Sequence, residues 1–193
     1  MSIYYTGKGD DGASRVGLKK IAKTNLVMSA LGDLDELNSL LGIIKNHFVT
    51  NKRRSFNEYK LLHTISFLKI LERAQENLFI IQAHVASGMF EKSYKLPNFS
   101  KEKVIELENI IAKCEKQLKS VNKFVVPGTN EKSAWLDYAR TIARRAERSI
   151  LKFSKKEKVT PEILAYLNRL SSLFFVMARV TAKNRKEKSP KYI

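Results

Sequence analysis

Residues 30–47, ALGDLDELNSLLGIIKNH, carry the pattern that decides the fold. Leu31, Leu34, Leu37, Leu40, Leu41 and Ile44 recur at spacings of three and four, the period of a helix with one apolar side. Outward from this stripe the period returns four times. A second helix is predicted from about Tyr59 to Ser87, with Leu62, Ile65, Leu68, Leu71, Leu78 and Ile81 on one broad face and Gly88 as its stop. A third runs from a Ser100 cap to about Ser120. A fourth spans Glu131 to Phe153, after the Pro127-Gly128 break and with Thr129 or Asn130 as cap. The fifth starts at Thr160-Pro161, where proline in the first turn removes no helical hydrogen bond, and ends near Lys183. The stretches 50–57 and 89–99 read as connections. With no alternating strand pattern and no internal repeat, the expectation is an all-α, five-helix antiparallel bundle. It forms a single domain, 1–193, in which 1–24 is a Gly- and Lys-rich loop, 30–183 the bundle and 184–193 a basic tail.

Composition agrees with long helices. Eight glycines and four prolines in 193 residues are about half the usual ~12%. The net charge of +17 makes a field that attracts polyanions such as nucleic acid, anionic lipid or a nucleotide's phosphates, without choosing among them. No apolar run is expected to reach the ~20 residues of a membrane span, and the start, MSIYYTGKGDDG, has neither a signal-peptide core nor a transit pattern. The lone Cys114 cannot form an internal disulfide, which fits a reducing compartment. These traits predict a cytoplasmic protein with no membrane partner.

Gly7 and Gly12 are separated by four residues, as in a phosphate-binding P-loop, but Ala13 stands where the lysine should follow, and no strand and helix flank the run. The three glycines among Lys8, Ser14, Arg15, Lys19 and Lys20 could still present backbone N–H groups to phosphates. Along DYARTIARRAER, 137–148, Arg140, Arg144, Glu147 and Arg148 fall near one side of a helix, while Ala139, Ala143, Ala146 and Ile150 can face a core. One carboxylate among guanidinium groups can fix their forks for bidentate phosphate binding. In LDELNS, 34–39, Glu36 reads as an acid near a helix N-terminus and Asp35 as a partner for an arginine across the bundle. Asn168 and Arg169, embedded in an apolar helix, would be costly unless paired. His47, His63 and His84 form no Glu-x-x-His pair, and no serine elbow or Cys/His pairing suggests covalent hydrolysis, so no protein metal site is expected.

Five blocks in register, YTGKGDDGAS at 5–14, GDLDELNSLLG at 32–42, KFVVPG at 123–128, RTIARRAER at 140–148 and NRLSSLFF at 168–175, resemble the propanediol-utilisation type of ATP:cob(I)alamin adenosyltransferase. The resemblance spans about 4–179. It implies a homotrimer with active sites at the subunit interfaces. These transfer the 5′-deoxyadenosyl group of ATP, with magnesium on the nucleotide, to cob(I)alamin and release triphosphate; a B12-dependent acceptor enzyme would take the product. It places Thr6, Gly7, Lys8, Gly9, Asp10, Gly12, Ser14, Lys23, Arg144, Glu147 and Asn168 around ATP. Arg140 matches an arginine that pairs with Asp35, and Phe124 an aromatic that blocks the lower axial face of cobalamin. Two departures stand out. Ser172 replaces the usual aspartate beside Arg169, and Thr129 a common second glycine.

Two other readings accompany this one. A helical nucleic-acid-binding module would expose Arg140, Arg144, Arg145 and Arg148 as a phosphate stripe, but it gives no role to the acids or to GKGDDG. A catalytically weakened family member would bind ATP or cobalamin without alkylation.

Overall fold

The computed structural model describes residues 5, 7–50, 58–91, 93–118, 124–183 and 185–192. Five helices follow a small hairpin: β1 (Ala13–Val16), β2 (Lys19–Ala22), α1 (Leu26–Thr50), α2 (Glu58–Val85), α3 (Lys101–Glu115), α4 (Glu131–Ser154) and α5 (Pro161–Ala182). The all-α bundle expected from the periodicity is the one observed. The predicted end of the third helix at Ser120 and most of the 50–57 connection lie outside the described residues, as do the side chains of Leu62 and Ile65.

α5 lies at the centre, against α4 on one side and α3 on the other, while α1 packs on α4 and α2 packs on α1. The alanines predicted to face inward, Ala139, Ala143 and Ala146, are all fully buried, so α4 closes tightly on its neighbours. One apolar core joins all five helices, from Leu34, Leu37 and Leu41 of α1 through Leu78 and Leu107 to Leu170 and Phe174. By length and composition α5 is apolar enough to cross a membrane, which the sequence reading had not expected; more than half of that stretch is buried inside the bundle, as befits a core helix.

Three local features depart from expectation. The loop 1–24 contains an antiparallel hairpin, Ala13 facing Ala22 and Val16 facing Lys19. Gly17 makes its turn with φ near 56°, and a Cβ there would lie 2.3 Å from the Met89 carbonyl oxygen. Only glycine suits both demands. α1 begins four residues earlier than predicted, where Asn25 Oδ1 accepts from Val27 N at 3.0 Å. Ser100 occupies the cap position of α3 with extended backbone but makes no side-chain cap bond. Asn130 does: it exchanges bonds with Ser133, each 2.9 Å, as a capping box that contributes about 1 kcal/mol. The positive φ after Pro127 belongs to Gly128 alone, so Thr129 is accommodated in place of a second glycine.

Candidate functional site

The two most informative sequence blocks meet on the surface of the bundle. Asn168 Nδ2 on α5 donates to Glu147 Oε1 on α4 at 2.8 Å. Arg169 Nη1 donates to Asn168 Oδ1 at 2.7 Å, and its Nε to Glu108 Oε1 of α3 at 3.0 Å. A polar chain therefore crosses α4, α5 and α3; Asn168 proves to be exposed and Arg169 half-buried, so the burial cost expected of Asn168 does not arise and Arg169 has its carboxylate. Ser172 is exposed, and the loss of an aspartate there does not leave Arg169 without a carboxylate. Beside this chain Arg144 is exposed and Arg140 half-buried.

The acids of α1 behave differently from their sequence reading. Arg145 is held by Asp33 Oδ1 at 3.3 Å and by Glu36, and Ser149 donates to Asp33. Glu36 is thus in the third turn, tying α1 to α4, because the helix starts at Leu26 and not near Ala30. Asp35, two positions from Asp33, is turned away from that seam and exposed, and no ion pair joins it to Arg140 within the chain among the described residues. The pairing expected from the resemblance is therefore absent inside one copy.

Gly7, Lys8, Gly9, Asp10 and Gly12 lie in the turn preceding β1, and Ser14 on β1; Thr6 lies outside the described residues. Gly7 and Gly12 have φ of 67° and 79°. Lys23 Nζ donates to the Gly9 carbonyl at 2.7 Å, and Lys23 N to the Gly12 carbonyl at 2.9 Å, so Lys23 closes the loop on itself. Asp11 takes Lys20 and the Ala13 N–H, which together hold its carboxyl below the usual range. The hydrogen bonds described for residues 9–23 run within this loop, to Asn25 and to Met89, none to α4 or α5. One chain therefore brings Glu147 to Asn168 and Gly9 to Lys23, and among residues 9–23 no hydrogen bond joins the two groups.

Phe124 is 71% exposed and stands in a loop, as its position before Val125-Val126-Pro127-Gly128 predicted. It borders an apolar cavity of about 500 Å³ with Val126, Pro127, Pro190 and Tyr192. The tail expected to be merely basic is what completes this cavity. Val126 N donates to the Lys188 carbonyl at 2.8 Å. Glu187 Oε1 lies 2.8 Å from Nη1 of Arg179, whose Nη2 donates to Asp137 Oδ2 at 2.6 Å. Arg179 and Asp137 are buried. Sequence reasoning missed all three residues, although an arginine inside LFFVMARV, 173–180, demanded a buried acid.

Among the described residues no three His, Cys, Asp or Glu side chains gather into a metal cluster. The arrangement offers positive charge, an oriented amide and an apolar wall.

Comparison with known proteins places these features in one family. The cobalamin adenosyltransferase family model matches residues 4–181. The chain is 34% identical over 176 residues to the corrinoid adenosyltransferase of Bacillus subtilis, covering 91% of this chain and 84% of that one. It is 31% identical over 180 residues to the corrinoid adenosyltransferase PduO of Salmonella typhimurium, covering 93% of this chain but 49% of that protein, so it spans about half the length of that relative. A variant of the PduO-type ATP:corrinoid adenosyltransferase from Lactobacillus reuteri, solved with cobalamin and ATP, superposes with a TM-score of 0.83 at 28% identity, over 98% of this chain and 97% of that one. With a matching family model along nearly its whole length and relatives of this similarity, the chain belongs to the cobalamin adenosyltransferase family.

Proposed function

We propose that this protein transfers the 5′-deoxyadenosyl group of ATP to cob(I)alamin, giving adenosylcobalamin and triphosphate. The cobalt's electron pair forms the Co–C bond as the bond from C5′ to the triphosphate oxygen breaks and its electrons leave with the triphosphate. The nucleophile belongs to the substrate, so the transfer asks no general base of the protein. The protein's share is to hold C5′ in line, neutralise the departing charge and exclude water.

The observation that carries this reading is the Asn168–Glu147 bond beside exposed Arg144, because it unites two distant blocks into a fixed acceptor and donor set. Glu147 and Asn168 orient the nucleotide, and Arg144 meets its phosphates. The residues Thr6, Gly7, Lys8, Gly9, Asp10, Gly12, Ser14 and Lys23 wrap them from the other side. The donor set, with no cluster of three His, Cys, Asp or Glu side chains among the described residues, suits magnesium carried on the phosphates better than a protein cage. Magnesium bound there would supply charge to the leaving group. Phe124 forms the lower axial wall for cobalamin, supported by its exposure on an apolar cavity.

The chain works as a single domain and as a homotrimer. In support, no hydrogen bond of residues 9–23 reaches α4 or α5, and no ion pair joins Asp35 to Arg140 among the described residues, which leaves both for a partner across an interface. The same engagement weakens the nucleic-acid reading: Arg145 is tied to Asp33 and Glu36, so the four-arginine stripe is interrupted. We place the enzyme in the cytoplasm, handing its product to a B12-dependent enzyme.

Incubation with ATP, magnesium and chemically reduced cobalamin is expected to replace the cob(I)alamin spectrum by that of an alkylcobalamin. ATP binding with no spectral change would instead establish a catalytically weakened binder. Light scattering at micromolar concentration is expected to give a trimer; a monomer alone would contradict the shared site.

A further inference from the structure

α2 leans on α1 and α3 on α5, which leaves a groove of about 550 Å³ between α2 and α3, a volume within the roughly 300–1,000 Å³ of small-molecule pockets. It shares no residue with the Glu147–Asn168–Arg169 chain. Its walls are apolar, with Phe67, Ile70, Leu107 and Ile110. At its floor stands the hydroxyl of Tyr166, 2% exposed, which accepts from Asn77 Nδ2 at 3.0 Å. Asn77 Oδ1 in turn accepts from Lys103 Nζ at 2.7 Å. This ammonium, half-buried and 5.7 Å from the centre of the Phe99 ring, has no carboxylate partner among the described residues. The Tyr166 proton likewise meets no acceptor among them.

The charge of the lining is one-sided. Lys69, Arg73, Lys103 and Lys113 face a single carboxylate, Glu106, which is already paired with Arg73. Two donors at the floor, cations at the rim and apolar walls describe a pocket for a molecule with an anionic head and an apolar body. We infer that this groove binds an amphiphilic monoanion, an aliphatic carboxylate, with its head on Lys103 and Tyr166 and its chain along Ile70 and Ile110. Burial pushes the Tyr166 phenol up to about 12, so it remains a donor throughout the neutral range.

Isothermal titration of the full chain with sodium decanoate tests this, with 1-decanol as the uncharged probe. Decanoate is expected to bind one to one, and decanol about tenfold or more weaker, the discrimination that a charge-assisted hydrogen bond supplies. Lys103→Met, which keeps the aliphatic stem, is expected to lose about tenfold for decanoate with little change for decanol, while Lys103→Arg retains binding. No heat with decanoate, equal affinity for decanoate and decanol, or decanoate binding undiminished in a folded Lys103→Met protein would each overturn the proposal. Should Lys103→Met fail to fold, the decanoate-to-decanol ratio on the unaltered chain decides.

Discussion

The seam between α4 and α5 is fastened by Asp137 and Arg179, both shielded from solvent, and by the Glu147–Asn168 bond at its edge. The loop from Gly7 to Lys23 is fastened by its own backbone turns, by exposed lysines, by Leu18 N donating to the Met89 carbonyl beside Gly17, and by Val16 and Ile21 at the edge of the core. Both regions are proposed to hold the same nucleotide. The difference is one of dielectric and redundancy. A site whose backbone is set by packed helices keeps its geometry without ligand, whereas a loop held by exposed ion pairs gains little from them because they are screened. The seam supplies a preformed half, and the loop a half that the phosphates complete.

The contrast can be broken from the buried side first. Arg179→Met strands Asp137 and Glu187 without their cation, and the loss of stability is expected to be about 3–5 kcal/mol, lowering the melting temperature by about 10 °C. A melting temperature within a degree or two of the unaltered protein would show that the seam is not held there. Phe124→Ala touches no core residue. Folding and ATP binding should persist, while activity with cob(II)alamin under a mild reductant falls about tenfold or more beyond the loss with pre-reduced cob(I)alamin. A lower axial donor makes cobalt harder to reduce, and an apolar wall removes it. If both assays fall together with the melting temperature, Phe124 serves packing.

On the loop side, Gly17→Ala puts a side chain against the Met89 carbonyl at a positive φ, at a cost of about 1–3 kcal/mol where the hairpin meets the chain after α2. The expected outcome is a several-fold rise in KM for ATP with an unchanged melting temperature, the reverse of Arg179→Met. Asp11→Asn is expected to have the smallest effect. The carboxyl is held low by Lys20 and the Ala13 N–H, so whatever the pair contributes is present above the ordinary carboxylate range and fades as pH drops through the lowered value. Full exposure screens it, and no change in thermal unfolding is expected at neutral pH or at pH 3.

The same contrast explains what could be read without coordinates. Leu34, Leu37 and Leu41, and Ala139, Ala143 and Ala146, repeat at helical spacing, and all six are buried as that spacing requires. Asn168 and Arg169 stood out as polar positions on an apolar helix, yet Asn168 lies exposed, and which acids they and the arginines of α4 meet was a matter of register. A shift of two residues separates Asp33, which reaches Arg145, from Asp35, which does not. The hairpin escaped notice because Ala13–Val16 and Lys19–Ala22 are four residues each, too short for a period of two to stand out among lysines. The tail escaped because Glu187 is one acid among four basic residues, and its partner lies on α5. Local patterning reports faces; it does not report which distant face closes on which.

Hydrogen exchange with and without Mg-ATP measures the two halves at once. Amides of residues 7–20 are expected to gain protection when the nucleotide binds, while those of 140–150 and 168–179, already slow, change little. Equal exchange in the loop under both conditions, or new protection confined to α4 and α5, would contradict a site assembled from one preformed half and one completed by the phosphates.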